Sequence, residues 1–280
     1  MGQDRLLGAV VPENAPAARV RGIFRALAIS VVALFATATA QASCVNVAGS
    51  PLRYASLDVA TDAQKDQIRL TFLGHASFEI ETPEGARAVT DYNGYLTPEK
   101  VPHVVTMNNS HRGHFTPEVD PRIPHMLRGW NAQGVTHHDV TVKDLHVRSV
   151  PTNLSDWGGK VTMGNSIFVF EALGICIAHI SHVHHALSED QIRELGIVDV
   201  ALVAIDGAVT MSHEELFEAL SKLKPRLVVP MHMISYAEVQ RLLALAEPHF
   251  PIRRTEGDTI YVSNATLPPK AEVLLFPLRP

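Results

Sequence analysis

Two histidines, His111 and His114, stand close together in the segment MNNSHRGHF, which covers residues 107–115. The segment follows a short apolar run, HVVT, that is typical of a β-strand. A loop beyond a strand end can fold two imidazoles toward one point, which is what a metal site requires. Two ligands alone hold no metal tightly, so other parts of the chain must supply the rest of such a site.

The chain is rich in histidine, with 15 in its 280 residues. Several of them fall in three groups along the sequence: His111 and His114, then His179, His182, His184 and His185, and finally His232. Isolated histidines are more often hydrogen-bonded side chains than ligands, and we interpret His184 and His213 in that ordinary way. The other grouped histidines are where metal chemistry is expected.

The elements that would position these histidines are short strands first, and alternating helices and strands later. Apolar or β-branched runs predict strands at IRLTFLG, SFEIET, ARAVTDY, HVVTMN, DLHVRSVP, SIFVFEA and GICIAHI. Capping-box patterns predict helices that begin at Ser188, Ser212 and Ser235. The runs VDVALVAID and PRLVVPM between them are nearly all apolar, as in strands buried on both faces. Residues 43–280 are therefore predicted to form one domain of layered α and β structure.

Composition places the chain among ordinary globular proteins and excludes one class of partner. It is 46% hydrophobic and 19% charged, with a formal net charge of −5. Lysine and arginine are scattered, and no run of them could follow a phosphate backbone, so nucleic acid is not an expected partner. A small-molecule substrate is expected instead. Nothing in the pattern indicates an oligomeric state.

The N-terminal segment has the pattern of an export signal. Arginines at positions 19, 21 and 25 precede an apolar stretch at residues 26–36, and an A-x-A cleavage pattern ends at Ala42. The apolar stretch is too short for a bilayer, which needs about 20 helical residues. We therefore expect residues 1–42 to be a cleaved signal peptide, with a periplasmic or secreted product and no stable membrane insertion. An uncleaved anchor is the alternative, and lipidation at Cys44 is a minor one.

The sequence contains two cysteines, Cys44 and Cys176. Cys176 lies in the apolar run GICIAH and is interpreted as a small core residue. A disulfide between the two remains open in an oxidising compartment, but one pair provides no framework for a fold.

Several motifs occur in an order that resembles the metallo-β-lactamase superfamily. They are LGHASF at residues 73–78, TDY at 90–92, the histidine-rich turn, VDVALVAIDGAVTM, and KPRLVVPMH ending at His232. The likeness is closest to the branch that includes ascorbate-6-phosphate lactonase and N-acyl phosphatidylethanolamine phospholipase D. It covers about residues 68–245. The resemblance implies an α/β fold, a four-layer αββα sandwich, and metal-dependent hydrolysis.

The family's hallmark turn has the form H-x-H-x-D-H, and this chain departs from it. Alignment on the last histidine pairs the motif with NSHRGH, so that Asn109 replaces the first histidine and Gly113 replaces the aspartate. Where the family has a Gly-Asp pair whose carboxylate bridges two metals, the chain has Ser181 and His182. The remaining family histidine would fall within VPTNL, where Asn153 is the nearest polar candidate.

These losses predict one metal ion and not two. Two dications are held together partly by a bridging carboxylate that offsets their repulsion, and the alignment leaves none at that position. The resemblance implies that the ligands come from His111, His114, His182 and His232, with Asn109 as a further candidate. Imidazole ligands leave the ion its full double charge, which favours zinc with a bound hydroxide; manganese and iron are alternatives.

Other polar residues near these positions are expected to support the site. Asp91 ends the third predicted strand and is expected to orient a ligand histidine or to transfer protons. Asp206 ends a buried strand and is either a second catalytic carboxylate or a turn-forming residue before a glycine. His179 and His185 are candidates for contacting a ligand or the substrate, with His185 as a catalytic group. His75 is expected to pack close to the site without binding the metal.

Two functions remain open at this point. The first is an exported metal-dependent hydrolase of an ester-like substrate, a lactone or a phosphodiester, in which a metal-bound hydroxide attacks. The second is a catalytically impaired member of the family that acts as a metal-binding or ligand-binding protein. The substitutions at Asn109, Gly113 and His182 favour the second function, whereas the retained density of histidines favours the first.

Overall fold

The structure is a computed structural model that describes residues 44–45, 66–132, 136–156, 159–233 and 235–278. The signal peptide predicted at residues 1–42 lies outside the described residues, and so does Ser43, where the mature chain is predicted to begin. None of the helices in the described part of the chain is long and apolar enough to cross a membrane.

The described chain forms strands in its first half and helices alternating with strands in its second. The strands are β1 (Ile68–Gly74), β2 (Ser77–Glu81), β3 (Arg87–Val89), β4 (Val104–Met107), β5 (His125–Arg128), β6 (Asp139–Val142), β7 (Leu145–Asp156), β8 (Gly159–Ala172), β9 (Ile175–Ile180), β10 (Val200–Ala204), β11 (Leu227–Met231), β12 (Ile252–Arg254), β13 (Thr259–Val262) and β14 (Glu272–Leu275). The helices are α1 (Glu189–Leu195), α2 (His213–Leu223) and α3 (Tyr236–Ala246).

These strands form two sheets, of order β13-β1-β2-β3-β4-β5 and β12-β14-β11-β10-β9-β8-β7-β6. Strands β9, β10 and β11 run parallel to one another, with α1 and α2 as the connections between them. The carboxyl ends of these three strands therefore meet at one edge of the second sheet. In open α/β sheets, that edge is where ligands bind.

A large hydrophobic core contains residues of both sheets. The rings of Phe72 and Phe78, from the first sheet, lie 5.7 and 6.1 Å from the ring of Phe276, which follows β14 of the second. Every residue of β10 and of β11 is buried, as predicted for strands covered on both faces. The apolar surface removed from water here stabilises the fold.

The three helices begin where the capping-box patterns predicted. Ser188, Ser212 and Ser235 each accept a hydrogen bond from the backbone of the residue three positions later, whose side chain bonds back to the serine backbone. Helix α2 buries Leu216, Ala219, Leu220 and Leu223, which lie on one face at helical spacing. Each described helix follows a strand of the second sheet. The predicted α/β class with two sheets is therefore confirmed.

A disulfide, left open by the sequence, links Cys44 to Cys176 in β9, with a Cα–Cα distance of 5.9 Å. The segment is also held by its backbone: the N–H of Cys44 donates to Glu171 at 3.1 Å, and its carbonyl accepts from Ile197 at 2.9 Å. A side chain at Gly196 would collide with that carbonyl, because a Cβ there would lie 2.2 Å from the oxygen. The described residues around Cys44 are therefore attached to the sheet both covalently and by hydrogen bonds.

Candidate metal centre

The histidines singled out by the sequence converge where strands end. His182 and His232 follow β9 and β11 in the second sheet, while His114 lies in the loop after β4 in the first. His75 directly follows β1, and its carbonyl accepts a hydrogen bond from the backbone N–H of His232 at 2.8 Å. This bond connects the loops of the two sheets and brings their histidine side chains together.

Three imidazoles form the centre of the cluster. His75, His114 and His232 each place a ring nitrogen within 4.8 Å of the other two. The ring centroids lie 4.3 Å apart for His75 and His232, and 5.2 Å apart for His114 and His232. Three nitrogen donors at this separation can converge on one ion, with a further coordination position for water or substrate.

His182 extends the cluster on one side. Its ring centroid lies 4.3 Å from that of His114 and 5.2 Å from that of His232. Its Nε2 atom lies 3.4 Å from Nδ1 of His111. On the opposite side of the ring, Nδ1 of His182 lies 2.9 Å from Nε2 of His184, and the two rings share a hydrogen bond. His184 is thus a hydrogen-bonded side chain, as the sequence interpretation had it, and its partner is a candidate ligand.

Asp91 lies against His114, the contact expected of a residue that orients a ligand. Its Oδ2 atom lies 2.5 Å from Nδ1 of His114 and accepts a hydrogen bond from the hydroxyl of Ser181 at 2.7 Å. The backbone N–H of Asn108 donates to Oδ1 at 3.0 Å. Burial raises the pKa of Asp91, and the nearby ring of His179 and these two donors oppose that rise. Because Asp91 engages Nδ1, the Nε2 atom of His114 is the nitrogen available to bind a metal.

Asp206 occupies the equivalent position behind His232. Its Oδ2 atom lies 3.1 Å from Nδ1 of His232 and accepts from the hydroxyl of Thr210 at 2.7 Å. Oδ1 accepts from the backbone of Ala208 at 2.9 Å and of Val209 at 2.6 Å. Burial raises the pKa of this carboxyl, but His232 and the three donors outweigh it and hold the pKa well below its ordinary value. Asp206 forms the turn and also faces a candidate ligand, and its catalytic role remains a prediction.

Burial favours the neutral form of the His75, His114 and His182 imidazoles. It lowers the pKa of His75 to about 4, with a further contribution from the ring of His232. The pKa values of His114 and His182 also lie well below the ordinary value, because burial and neighbouring imidazoles both oppose protonation. Neutral imidazole is the form that binds metal ions. Neutral nitrogen donors supported by carboxylates therefore fit a divalent transition metal.

The backbone is strained at the same place. His75, Asp91, His182 and His232 all have positive φ values, between 40° and 58°. The other non-glycine residues of this kind in the described chain are Lys143, Leu173 and Lys224, in two hairpin turns and at a helix end. Such conformations cost about 1–3 kcal/mol each and tend to occur at functional sites. The packing of the two sheets must therefore compensate for the strain at this edge.

The remaining predicted residues lie at or near the cluster, with their polar atoms engaged elsewhere. The Asn109 amide oxygen accepts from the backbone of His111 at 2.8 Å, and its nitrogen lies 3.4 Å from Asn165 Oδ1. His185 bonds the Asn153 backbone N–H through Nε2 and the carbonyl of Ala186 through Nδ1, at 3.2 and 2.8 Å. Nothing in these contacts tests whether Asn109 is a ligand or His185 is catalytic, and both remain predictions.

The structure places His75 and His179 in different surroundings. His179 is fully buried and bonds Asn108 and the carbonyl of Ala76, at 3.1 and 2.9 Å. It is therefore a supporting residue below the cluster. The sequence interpretation placed His75 beside the site and not among the ligands, whereas its ring nitrogen belongs to the central trio. The signal that could have indicated this is Gly113, which leaves room in the turn.

Comparisons with known proteins agree with this architecture. The family described as Beta-lactamase superfamily domain matches residues 69–232. A UPF0173 metal-dependent hydrolase of Pyrococcus furiosus is 25% identical over 189 residues, which cover 59% of this chain and 84% of that protein. A relative of the same description from Pyrococcus abyssi is 28% identical over 193 residues, with the same coverage.

A similar fold has been solved by crystallography. The protein, from Thermotoga maritima, is described as a zinc-dependent hydrolase of the metallo-β-lactamase superfamily. It is 25% identical, with a TM-score of 0.57, and the match covers 75% of this chain and 98% of that one. The family match, the two-sheet fold and the position of the histidine cluster agree, and the chain therefore belongs to the metallo-β-lactamase superfamily, as its motif order predicted.

Proposed function

We propose that this protein is a metal-dependent hydrolase that holds one zinc ion and cleaves an ester-like substrate, a lactone or a phosphodiester. The observation that carries the proposal is the trio of ring nitrogens within 4.8 Å of one another at the strand-end edge, from His75, His114 and His232. Its relatives from Pyrococcus are named metal-dependent hydrolases. The lactonase-like branch remains the prediction of the motifs, on which the substrate class rests.

The residues of the chain contribute orientation and charge. Asp91 engages Nδ1 of His114, and Asp206 faces Nδ1 of His232, which would leave the other nitrogen of each ring for a metal. His182 and His111 border the same space and are further ligand candidates. When bound, the ion supplies a coordinated water of lowered pKa and polarises the substrate. Zinc suits imidazole donors, with manganese or iron as alternatives.

Charge favours an electron-rich substrate. Burial lowers the pKa values of His75 and His114 in the central trio, and neutral imidazole donors would leave a bound dication its double charge at the point where substrate would enter. The carboxylates of Asp91 and Asp206 stand behind the rings and moderate that charge from a distance. An ester carbonyl or a phosphodiester oxygen directed at the ion would be attracted to it.

Loss of catalysis is the second candidate function, and the substituted motif positions favour it. Asn109, Gly113 and His182 replace family positions, and the amide of Asn109 is engaged with neighbouring protein groups. A protein of this kind would bind a metal or a ligand without turning over substrate. Metal content and hydrolysis measured on the same sample separate the two functions.

We also propose that the protein is exported to the periplasm or secreted. The export-signal pattern at residues 1–42 supports this location, and so does the disulfide between Cys44 and Cys176. Disulfides persist mainly in oxidising compartments. Mass spectrometry of the protein expressed at full length should find a mature chain that begins at Ser43, whereas an intact Met1 would contradict export by cleavage.

The central experiment measures bound metal and hydrolysis together. Purified protein should contain about one zinc per chain and should hydrolyse an acyl-homoserine lactone or bis(p-nitrophenyl) phosphate. His114→Ala should lose most of the metal and the activity, whereas the exposed His249→Ala should keep both. A parent without bound metal contradicts the proposal, and two ions per chain contradict the single-metal site. One bound metal without hydrolysis of either ester supports the binding protein.

A further inference from the structure

We propose that His75 is a metal ligand in this chain and that Gly113 makes its position possible. The inference rests on the proposed metal site and identifies one of its ligands. An imidazole from the loop after β1 stands where a side chain from the turn at residues 109–114 would otherwise stand.

The two residues compete for one volume. A Cβ atom on Gly113 would lie 2.8 Å from Nε2 of His75 and 3.2 Å from its Cδ2. Real Cβ atoms are almost never found as close as the first of these distances, so any side chain at residue 113 would have to displace the ring. The glycine at this position, where the hallmark turn has an aspartate, therefore leaves space that the imidazole fills.

The ring is held toward the other donors by the backbone. His75 adopts a φ of 50°, a left-handed conformation that is unfavourable for a residue with a side chain. Its carbonyl accepts the N–H of His232 at 2.8 Å, and His232 itself has a φ of 58°. Two strained residues are thus joined directly, and their rings lie 4.3 Å apart. This arrangement places a ring nitrogen of His75 within 4.8 Å of those of His114 and His232.

A role for His75 in packing alone predicts something different. A packing residue needs only a ring of the right volume, and its loss would weaken a metal site indirectly. Loss of a residue that orients a ligand typically costs 10–100-fold in metal affinity. A ligand contributes a donor atom directly, so its removal should cost more than 100-fold and should change the coordination spectrum of the ion.

The experiment uses the mature chain. It measures zinc affinity by chelator competition, and it records the visible spectrum of the cobalt(II)-substituted protein. His75→Asn is the main variant, because asparagine tolerates left-handed backbone and keeps the fold testable by circular dichroism. We expect zinc affinity to fall by more than 100-fold and the cobalt spectrum to change. His213→Asn is the matched control, because the ring of His213 also packs on a glycine: a Cβ atom placed on Gly207 would lie 2.9 Å from it. This variant should leave both readouts unchanged.

A second variant tests the exchange itself. Gly113→Asp in the parent should disturb the ring of His75 and weaken zinc binding. The same substitution combined with His75→Asn supplies a carboxylate where the ring was removed. The zinc affinity of this double variant should be at least tenfold higher than that of His75→Asn alone. Recovery of this kind would not follow from a packing role.

The outcomes separate this inference from the function on which it rests. A parent without zinc contradicts the proposed function. A parent with one zinc, together with a folded His75→Asn variant that keeps affinity within 100-fold and an unchanged cobalt spectrum, contradicts only the role of His75 as a ligand. Failure of Gly113→Asp to recover affinity in the double variant contradicts the exchange of one ligand for the other.

Discussion

Two buried polar regions of this protein solve opposite problems. Around Arg148 and Glu171, opposite charges are paired: Nε of Arg148 donates to Glu171 at 2.7 Å, and its other nitrogens donate to the carbonyls of Glu194 and Leu195 at 2.9 and 2.7 Å. At the histidine cluster, imidazoles face imidazoles, and burial keeps those of His75 and His114 neutral. The first region is complete within the chain, whereas the second collects donors for something else.

The difference shows how burial serves stability in one place and chemistry in the other. A buried charge is tolerated when each of its polar atoms has a partner, as it is for Arg148. A group of neutral imidazoles on strained backbone offers little stability of its own. We therefore expect substitutions in the first region to change the free energy of unfolding, and substitutions in the second to change metal affinity.

The largest effect is expected from Arg148→Met. The change leaves the carboxylate of Glu171, whose side chain is 6% exposed, without its charged partner. The free energy of unfolding should fall by about 3–5 kcal/mol, as for other broken buried pairs. Urea denaturation measures it, with Arg193→Met as the control at an exposed pair that should change little. Zinc bound by the protein that remains folded should stay at the parental stoichiometry, and its loss would contradict the separation of the two regions.

The disulfide should have the next largest effect. Replacing both Cys44 and Cys176 with serine removes a cross-link between residues 132 apart in the sequence. We expect about 2–4 kcal/mol of destabilisation, because the unfolded chain gains conformational freedom. Urea denaturation of the variant with and without a reducing agent should give the same midpoint, whereas the parent should lose stability on reduction. Equal stability of the parent in both conditions would show that the cross-link contributes nothing.

A smaller effect is expected from Asp91→Asn in the second region. The amide keeps the size of the side chain but loses the charge that holds His114 in its orientation. Zinc affinity should fall by about 10–100-fold, as for other partners of metal-binding histidines. Chelator competition measures the loss, and circular dichroism should match the parent. Unchanged affinity would mean that the contact between Asp91 and His114 does not orient a ligand.

The smallest effect on the fold is expected from metal removal. The core between the sheets consists of apolar side chains, and the histidines come from loops at its edge. Treatment with a chelator should therefore leave the far-ultraviolet circular dichroism spectrum nearly unchanged, while hydrogen exchange increases in the loops that carry His114 and His232. Global unfolding on chelation would instead make the metal a structural element and end the contrast between the two regions.

Local patterns in the sequence determined most of the secondary structure. The capping boxes at Ser188, Ser212 and Ser235 depend on residues three positions apart, and the buried strands β10 and β11 are apolar throughout. Both features are written in neighbouring residues and could be predicted without the fold. The loops that carry His114, His182 and His232 could be predicted in the same way, because each directly follows a strand signal.

Only the tertiary structure decided which imidazoles meet. His75 joins His114 and His232 because two sheets bring distant loops together and because Gly113 leaves the required space. The contact of His184 with His182 and the closure of the Cys44–Cys176 disulfide depend on the same three-dimensional arrangement. Spacing along the chain carries no information about such contacts, since the distance between two loops is determined by how the sheets pack and not by the residues that separate them.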